Sequence, residues 1–82
     1  MEQKKFRTFA EIAIEIKSSW RNMFFGAVPY VDALCTIWSS DKSAHYLFED
    51  AETIVRYFLA NASTWRGSDA RRIKAELKSM IK

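Results

Sequence analysis

Apolar residues return at every third or fourth position through most of this chain, and strict alternation of apolar and polar residues is rare. That period belongs to helices with one buried face. Thr8 and Glu11 have the spacing of a capping box, in which each side chain meets the other residue's backbone N–H. Behind them Phe9, Ile12, Ala13, Ile16, Trp20 and Met23 form one stripe, so a first helix is expected over about 8–23, with Gly26 at or just beyond its end. Pro29 is suited to a helix's first turn, where its missing N–H costs nothing. Val31, Leu34, Cys35 and Trp38 continue from it and predict a second, shorter helix over about 29–39.

The polar half of "SSDKSAHYLFED" reads as a loop. Its Tyr46-Leu47-Phe48 is expected as an apolar plug, a short turn or extended piece packed under that loop. Asp50 then offers an N-cap, with Glu52 favourably placed in the first turn beside the helix dipole. Ile54, Val55, Phe58, Leu59 and Ala62 define a third helix over about 50–65. Gly67 is expected to end it in a left-handed conformation. Ser68 is expected to cap a fourth helix over about 68–81, with Ala70, Ile73, Leu77 and Met80 or Ile81 inward. Phe58 and Ile73 are expected to face each other's helices. The expectation is an all-α fold: a compact bundle of four helices in a single domain covering residues 1–82.

Composition sharpens this picture. In 82 residues there are three Trp, three Tyr and six Phe. Large rings bury much area per residue, which a small core needs. Trp20 and Trp65 are expected to be mostly buried. The single cysteine cannot form an internal disulfide, so the chain reads as a reduced, cytoplasmic protein with Cys35 as a small buried hydrophobe. No apolar run approaches the roughly 18–20 residues of a membrane span. The start, "MEQKKFRTFAEIAIEIK", carries a basic patch, but Glu11, Glu15 and Lys17 interrupt its apolar positions, as in an amphipathic helix and unlike a signal peptide.

Candidate chemistry is sparse. There is no glycine-rich phosphate loop, no nucleophile elbow and no Cys/His metal spacing. Asp41, Glu49, Asp50 and Glu52 lack the spacing of a calcium loop. Glu11 and Glu15 read as part of a solvated helix face. The only histidine, His45, lies ten residues beyond Cys35 in the loop. No enzyme activity, cofactor or metal is expected, and a binding role is. The net charge is +3, unevenly spread: residues 63–82 carry six Lys/Arg against two acids, residues 31–62 two against five.

Two binding classes remain open. A protein interface would draw on Phe24, Phe25, Trp65 and Arg66, because aromatic rings beside arginine are favoured at interfaces. This is the first expectation, as a small protein-interaction or regulatory module. The alternative is nucleic acid, gripped by Arg71, Arg72, Lys74 and Lys78 on the basic last helix. Ser63, Gly67 and Ile73 follow a helix-turn-helix pattern in outline. Glu76 departs from it, standing where an apolar residue belongs.

The segments "FAEIAIEIKSSWRNMFFGAVPYVDAL" and "IVRYFLANASTWRGSDARRIKAELKSMI" resemble small uncharacterised proteins carried by bacterial prophages and mobile elements. The shared features are apolar spacing, Pro-Tyr and Trp-Arg-Gly. The resemblance implies a bacterial cytoplasmic setting and an accessory role, such as regulation or counter-defence. It carries over no functional residues.

Overall fold

Thr8 opens the first helix, α1 (Phe9–Ser19), through the capping box its sequence predicts. The Thr8 hydroxyl accepts from the Glu11 N–H at 3.1 Å, and the Glu11 carboxylate accepts from the Thr8 N–H at 2.8 Å. Two further free donors of the first turn are met from outside the helix. Phe9 N–H donates to the Ser39 carbonyl and Ala10 N–H to that of Ile37. Helix ends need such partners when they enter a core.

This computed structural model describes residues 6–82. The basic patch read at the start of the chain lies, apart from Arg7, outside the described residues. A 3-10 turn (Phe25–Ala27) leads into α2 (Val28–Leu34), with Pro29 in its first turn. A two-stranded antiparallel hairpin follows, β1 (His45–Tyr46) and β2 (Glu49–Asp50), and then α3 (Ala51–Ala60) and α4 (Ser68–Met80). Four helices therefore form as expected, but the fold is predominantly helical rather than all-α.

The ends of two helices depart from expectation for a common reason: apolar spacing records burial, and burial continues past the last helical hydrogen bond. Helix α1 stops at Ser19, with Trp20 as its C-cap at φ −100°, ψ 80°. Trp20 is nevertheless buried and stays on the stripe. Helix α3 stops at Ala60, and Ala62 and Trp65 are buried from a non-helical connection. Helix α2 ends at Leu34 and unwinds through i→i+3 bonds from Thr36 and Ile37. That turn buries Ile37 and leaves Trp38, expected inside, 64% exposed. Cys35 is half-buried against the core.

Gly67 lies well beyond the end of α3 and serves as the N-cap of α4, at φ 110°, ψ 177°. It therefore starts the fourth helix and does not end the third. Ser68 is the first helical residue, and α4 has no side-chain cap. Asp50 does cap α3, accepting from the Thr53 N–H at 2.9 Å.

Helix α2 packs against α3 and α1, and α4 closes over α1 and α3. Phe9, Ile12, Ile16, Leu34, Phe58, Ile73 and Leu77 are fully buried between them. Each such side chain contributes roughly 1.5–3 kcal/mol relative to exposure. Among the described residues no polar or charged residue is buried, and no helix is long and apolar enough to cross a membrane.

Candidate interaction face

Two of the four basic residues of α4, Arg72 and Lys74, are engaged by the protein itself. Arg72 reaches across to α1, its Nη2 lying 2.6 Å from Glu15 Oε2, and also meets Asp69 at 3.2 Å. The other oxygen of Glu15 pairs with Arg7 Nη1 at 2.8 Å. Arg7 in turn grips Glu76 through Nε at 3.1 Å and Nη2 at 2.7 Å. The result is a polar seam, Asp69–Arg72–Glu15–Arg7–Glu76, stitching α4 to α1. Hydrogen bonds from Arg72 and then Arg7 hold the Glu15 carboxyl below the usual range. Glu76, the residue out of place for a helix-turn-helix, thus has a structural partner in Arg7.

Lys74 is also engaged. Its ammonium donates to the carbonyls of Ala62 at 2.6 Å and Trp65 at 2.8 Å, pinning the connection between α3 and α4. Burial pushes its pKa down, and Lys78 and Arg66 nearby push the same way. Of the basic candidates, Arg71, Lys78 and Arg66 are exposed, and Arg72 keeps about half of its side chain exposed beside its ion pairs. The α3–α4 connection runs from residue 61 to residue 67, seven residues between Ala60 and Ser68. A helix-turn-helix uses about 3–4.

The apolar candidates are divided differently. Trp65 is 5% exposed and stacks on Trp20, with ring centroids 5.2 Å apart and an interplanar angle of 8°. Its ring has almost no face to offer a partner. Arg66 lies near Lys74 and Lys78 rather than with the exposed rings. Phe24 and Phe25 do stay outside, 41% and 80% exposed, with centroids 4.9 Å apart. Gly26 permits this arrangement: a Cβ there would lie 2.6 Å from Phe24 Cε2 and 2.9 Å from Asn61 Oδ1. The Phe24 ring thereby folds back toward the end of α3. Asn61 Nδ2 donates to the Tyr57 carbonyl at 2.9 Å, which links this corner to the exposed Tyr57 on α3.

Tyr57 leads to the main apolar feature. Its ring meets that of Tyr30 from α2, centroids 5.5 Å apart at 41°. Beyond them stands the hairpin, pairing His45 with Asp50 and Tyr46 with Glu49. Its base is held firmly. Ala51 N–H donates to the Ala44 carbonyl at 2.7 Å and Glu52 N–H to that of Lys42 at 3.0 Å, and Asp50 caps α3. Its tip is Leu47-Phe48, and Leu47 takes φ 58°, a left-handed value that non-glycine residues resist. Leu47 is 75% and Phe48 98% exposed, so the apolar plug expected under the loop instead projects outward. Between hairpin and helices lies a groove of about 340 Å³ lined by Pro29, Tyr30, Tyr46, Phe48, Glu49 and Tyr57 among others.

Reading the sequence missed the Tyr30–Tyr57 pair and the hairpin tip. Tyr57 had a usable signal, standing off the buried stripe of α3 between Arg56 and Phe58. The tip had none, because its turn lacks the glycine or asparagine that marks a tight hairpin. Among the described residues no group of His, Cys, Asp or Glu is arranged to hold a metal ion. No protein-family model matches this chain, no curated protein matches it, and no solved structure matches it.

Proposed function

We propose that this protein is a non-enzymatic binding module that engages another protein through the face running from Phe24–Phe25 past Tyr30–Tyr57 to the hairpin tip. The carrying observation is the exposure of Phe25, Leu47 and Phe48, with Phe24, Trp38, Tyr46 and Tyr57 also partly outside, on a chain that buries Phe9, Trp20, Phe58 and Trp65. Contiguous exposed apolar surface marks interaction sites, and aromatic residues anchor them. The side chains left outside here are rings and aliphatic tips, which favours recognition over catalysis. The resemblance to prophage and mobile-element proteins supports a bacterial cytoplasmic setting and a regulatory or accessory role. Nucleic-acid binding is the second reading, and Arg66, Arg71 and Lys78 would carry it. It ranks lower because Arg72 and Lys74 are committed within the fold.

The test is affinity capture from a bacterial extract with the wild-type chain, Phe25→Ser and Phe48→Ser as baits. A protein should be recovered stoichiometrically by the wild type and lost from both variants, whose melting temperatures stay unchanged. Recovery of nucleic acid that survives these two changes and disappears in Arg71→Ala/Lys78→Ala would replace the first reading with the second.

A further inference from the structure

The groove beside the hairpin has a specific chemistry. Three tyrosines, Tyr30, Tyr46 and Tyr57, line it, and none of their hydroxyls has a hydrogen-bond partner among the described residues. Pro29 closes one part of it and Phe48 stands over another. Glu49 is the one ionisable side chain in the lining apart from the tyrosines, and it has no ion pair among the described residues. The groove therefore presents flat rings, phenol donors and one unneutralised carboxylate.

We propose that this groove docks an extended, proline-rich segment of a partner protein, with an arginine or lysine of that segment seated against Glu49. This rests on the protein-binding reading above and names its ligand. A polyproline II segment has no internal hydrogen bonds, so its carbonyls are free to accept from tyrosine hydroxyls. Its prolyl rings pack on aromatic faces, the known mode for aromatic-lined grooves. A helical ligand satisfies its carbonyls internally and would leave the phenols unmet. The charge agrees: a lone carboxylate at the rim favours a basic flank and repels an acidic one. The stiffness of proline-rich chain also lowers the ordering entropy lost on docking, which suits a small shallow site.

The probe is a fluorescein-labelled peptide of prolines ending in one arginine, followed by fluorescence anisotropy with the full chain. A matching peptide ending in glutamate and an amphipathic Leu/Lys helical peptide are run beside it. The arginine peptide should bind saturably and most tightly of the three. Tyr57→Ala should weaken it at least about tenfold, as loss of an aromatic anchor does. Glu49→Gln should weaken it about two- to fivefold, the range of an exposed ion pair, and should remove the preference over the glutamate peptide. Tyr30→Phe/Tyr57→Phe keeps the rings and should still lose affinity, which separates hydroxyl recognition from simple packing. Unchanged melting temperatures in the variants exclude misfolding as the cause.

Absence of saturable binding at millimolar peptide would overturn the proposal, as would tighter binding of the helical peptide. Concentration-dependent dimerisation in sedimentation runs, abolished by Phe48→Ser, would give the groove to a second copy instead and also overturn it. If capture from extract depends on Phe48 while the proline peptide fails to bind, the binding-module reading stands and this inference alone falls.

Discussion

Two groups of aromatic rings in this molecule have opposite fates. Trp20, Phe58 and Trp65 form a closed cluster: the two indoles stack, and Phe58 presents edge contacts to both at 6.4 Å. Tyr30, Tyr57 and the hairpin tip form an open one, with rings in contact on one side and solvent on the other. The closed cluster joins two places where the chain leaves a helix, since Trp20 caps α1 and Trp65 lies between α3 and α4. Its rings hold those exits together, so the cluster belongs to stability. The open group joins Tyr30 of α2 and Tyr57 of α3 to the tip of a hairpin fixed at its base, and the recognition role proposed for it draws on the side that faces solvent.

The largest effect should come from breaking the closed cluster. Trp65→Ala removes a buried ring from the stack and should destabilise the fold by about 3–5 kcal/mol. Phe48→Ala should change stability by no more than about 0.5 kcal/mol, because the ring packs on almost nothing. Urea unfolding of both variants makes the comparison directly. Similar losses for the two would erase the distinction drawn between the clusters.

Gly67 sharpens the same point from the backbone side. It follows the Trp65 connection and feeds α4, and its φ 110°, ψ 177° lies in a region that is essentially glycine-only. A Cβ at this position would meet no atom within 4 Å, so any penalty comes from the backbone alone. Gly67→Ala should cost about 1–3 kcal/mol, seen as a lower urea midpoint with an unchanged slope. A neutral result would mean that the connection adjusts freely and does not hold Trp65 in place.

These sites also show what the sequence made legible. The Thr8–Glu11 box, Pro29 and Asp50 fix three helix starts because capping is local chemistry, written in adjacent residues. Helix ends were less legible, since Trp20, Ala62 and Trp65 keep the helical stripe after the backbone has left the helix. The seam was hidden by distance: Glu15 and Arg72 are 57 positions apart, and only the packing of α4 on α1 joins them. The groove was hidden in another way. Tyr30 and Tyr57 each look like ordinary rings until the fold sets α2 beside α3. Phe24 and Phe25 were visible as a pair, but nothing local distinguished their exposure from the burial of Trp65.

A smaller effect, dependent on pH, separates the seam from both clusters. Glu15 is held below its usual pKa by Arg72 and Arg7, so in the folded protein it stays ionised to lower pH than in the unfolded chain. Its stabilisation is complete above the unfolded value of about 4.5 and is lost as pH falls through the lower folded value. Glu15→Gln should therefore cost up to about 1 kcal/mol at neutral pH, after allowance for solvent screening of a partly exposed pair. It should also shrink the wild type's loss of stability on acidification below the usual carboxylate range. Urea midpoints at neutral and strongly acidic pH test this. An acid-side loss of the same size in both proteins would remove Glu15 from the seam's contribution.

One of the smaller expected changes in stability most directly separates recognition from folding. Leu47 occupies the first central position of the hairpin turn with φ 58°, and it alone among non-glycine residues has a positive φ among the described residues. A positive φ at that position is one that glycine adopts without a steric penalty. Leucine in a left-handed conformation costs about 1–2 kcal/mol, and glycine costs about 0.5–1 kcal/mol more than other residues in lost chain freedom. Leu47→Gly should therefore stabilise the fold by about 0.5–1 kcal/mol, the difference between these two terms. It should also weaken partner capture, since it removes an apolar side chain beside the groove and loosens the tip that carries Phe48. Stability and binding would then move in opposite directions at one residue, as expected where backbone strain is retained for contact with a partner. A loss of stability together with a loss of capture would assign Leu47 to the fold, and the hairpin tip would join the closed cluster's side of the comparison.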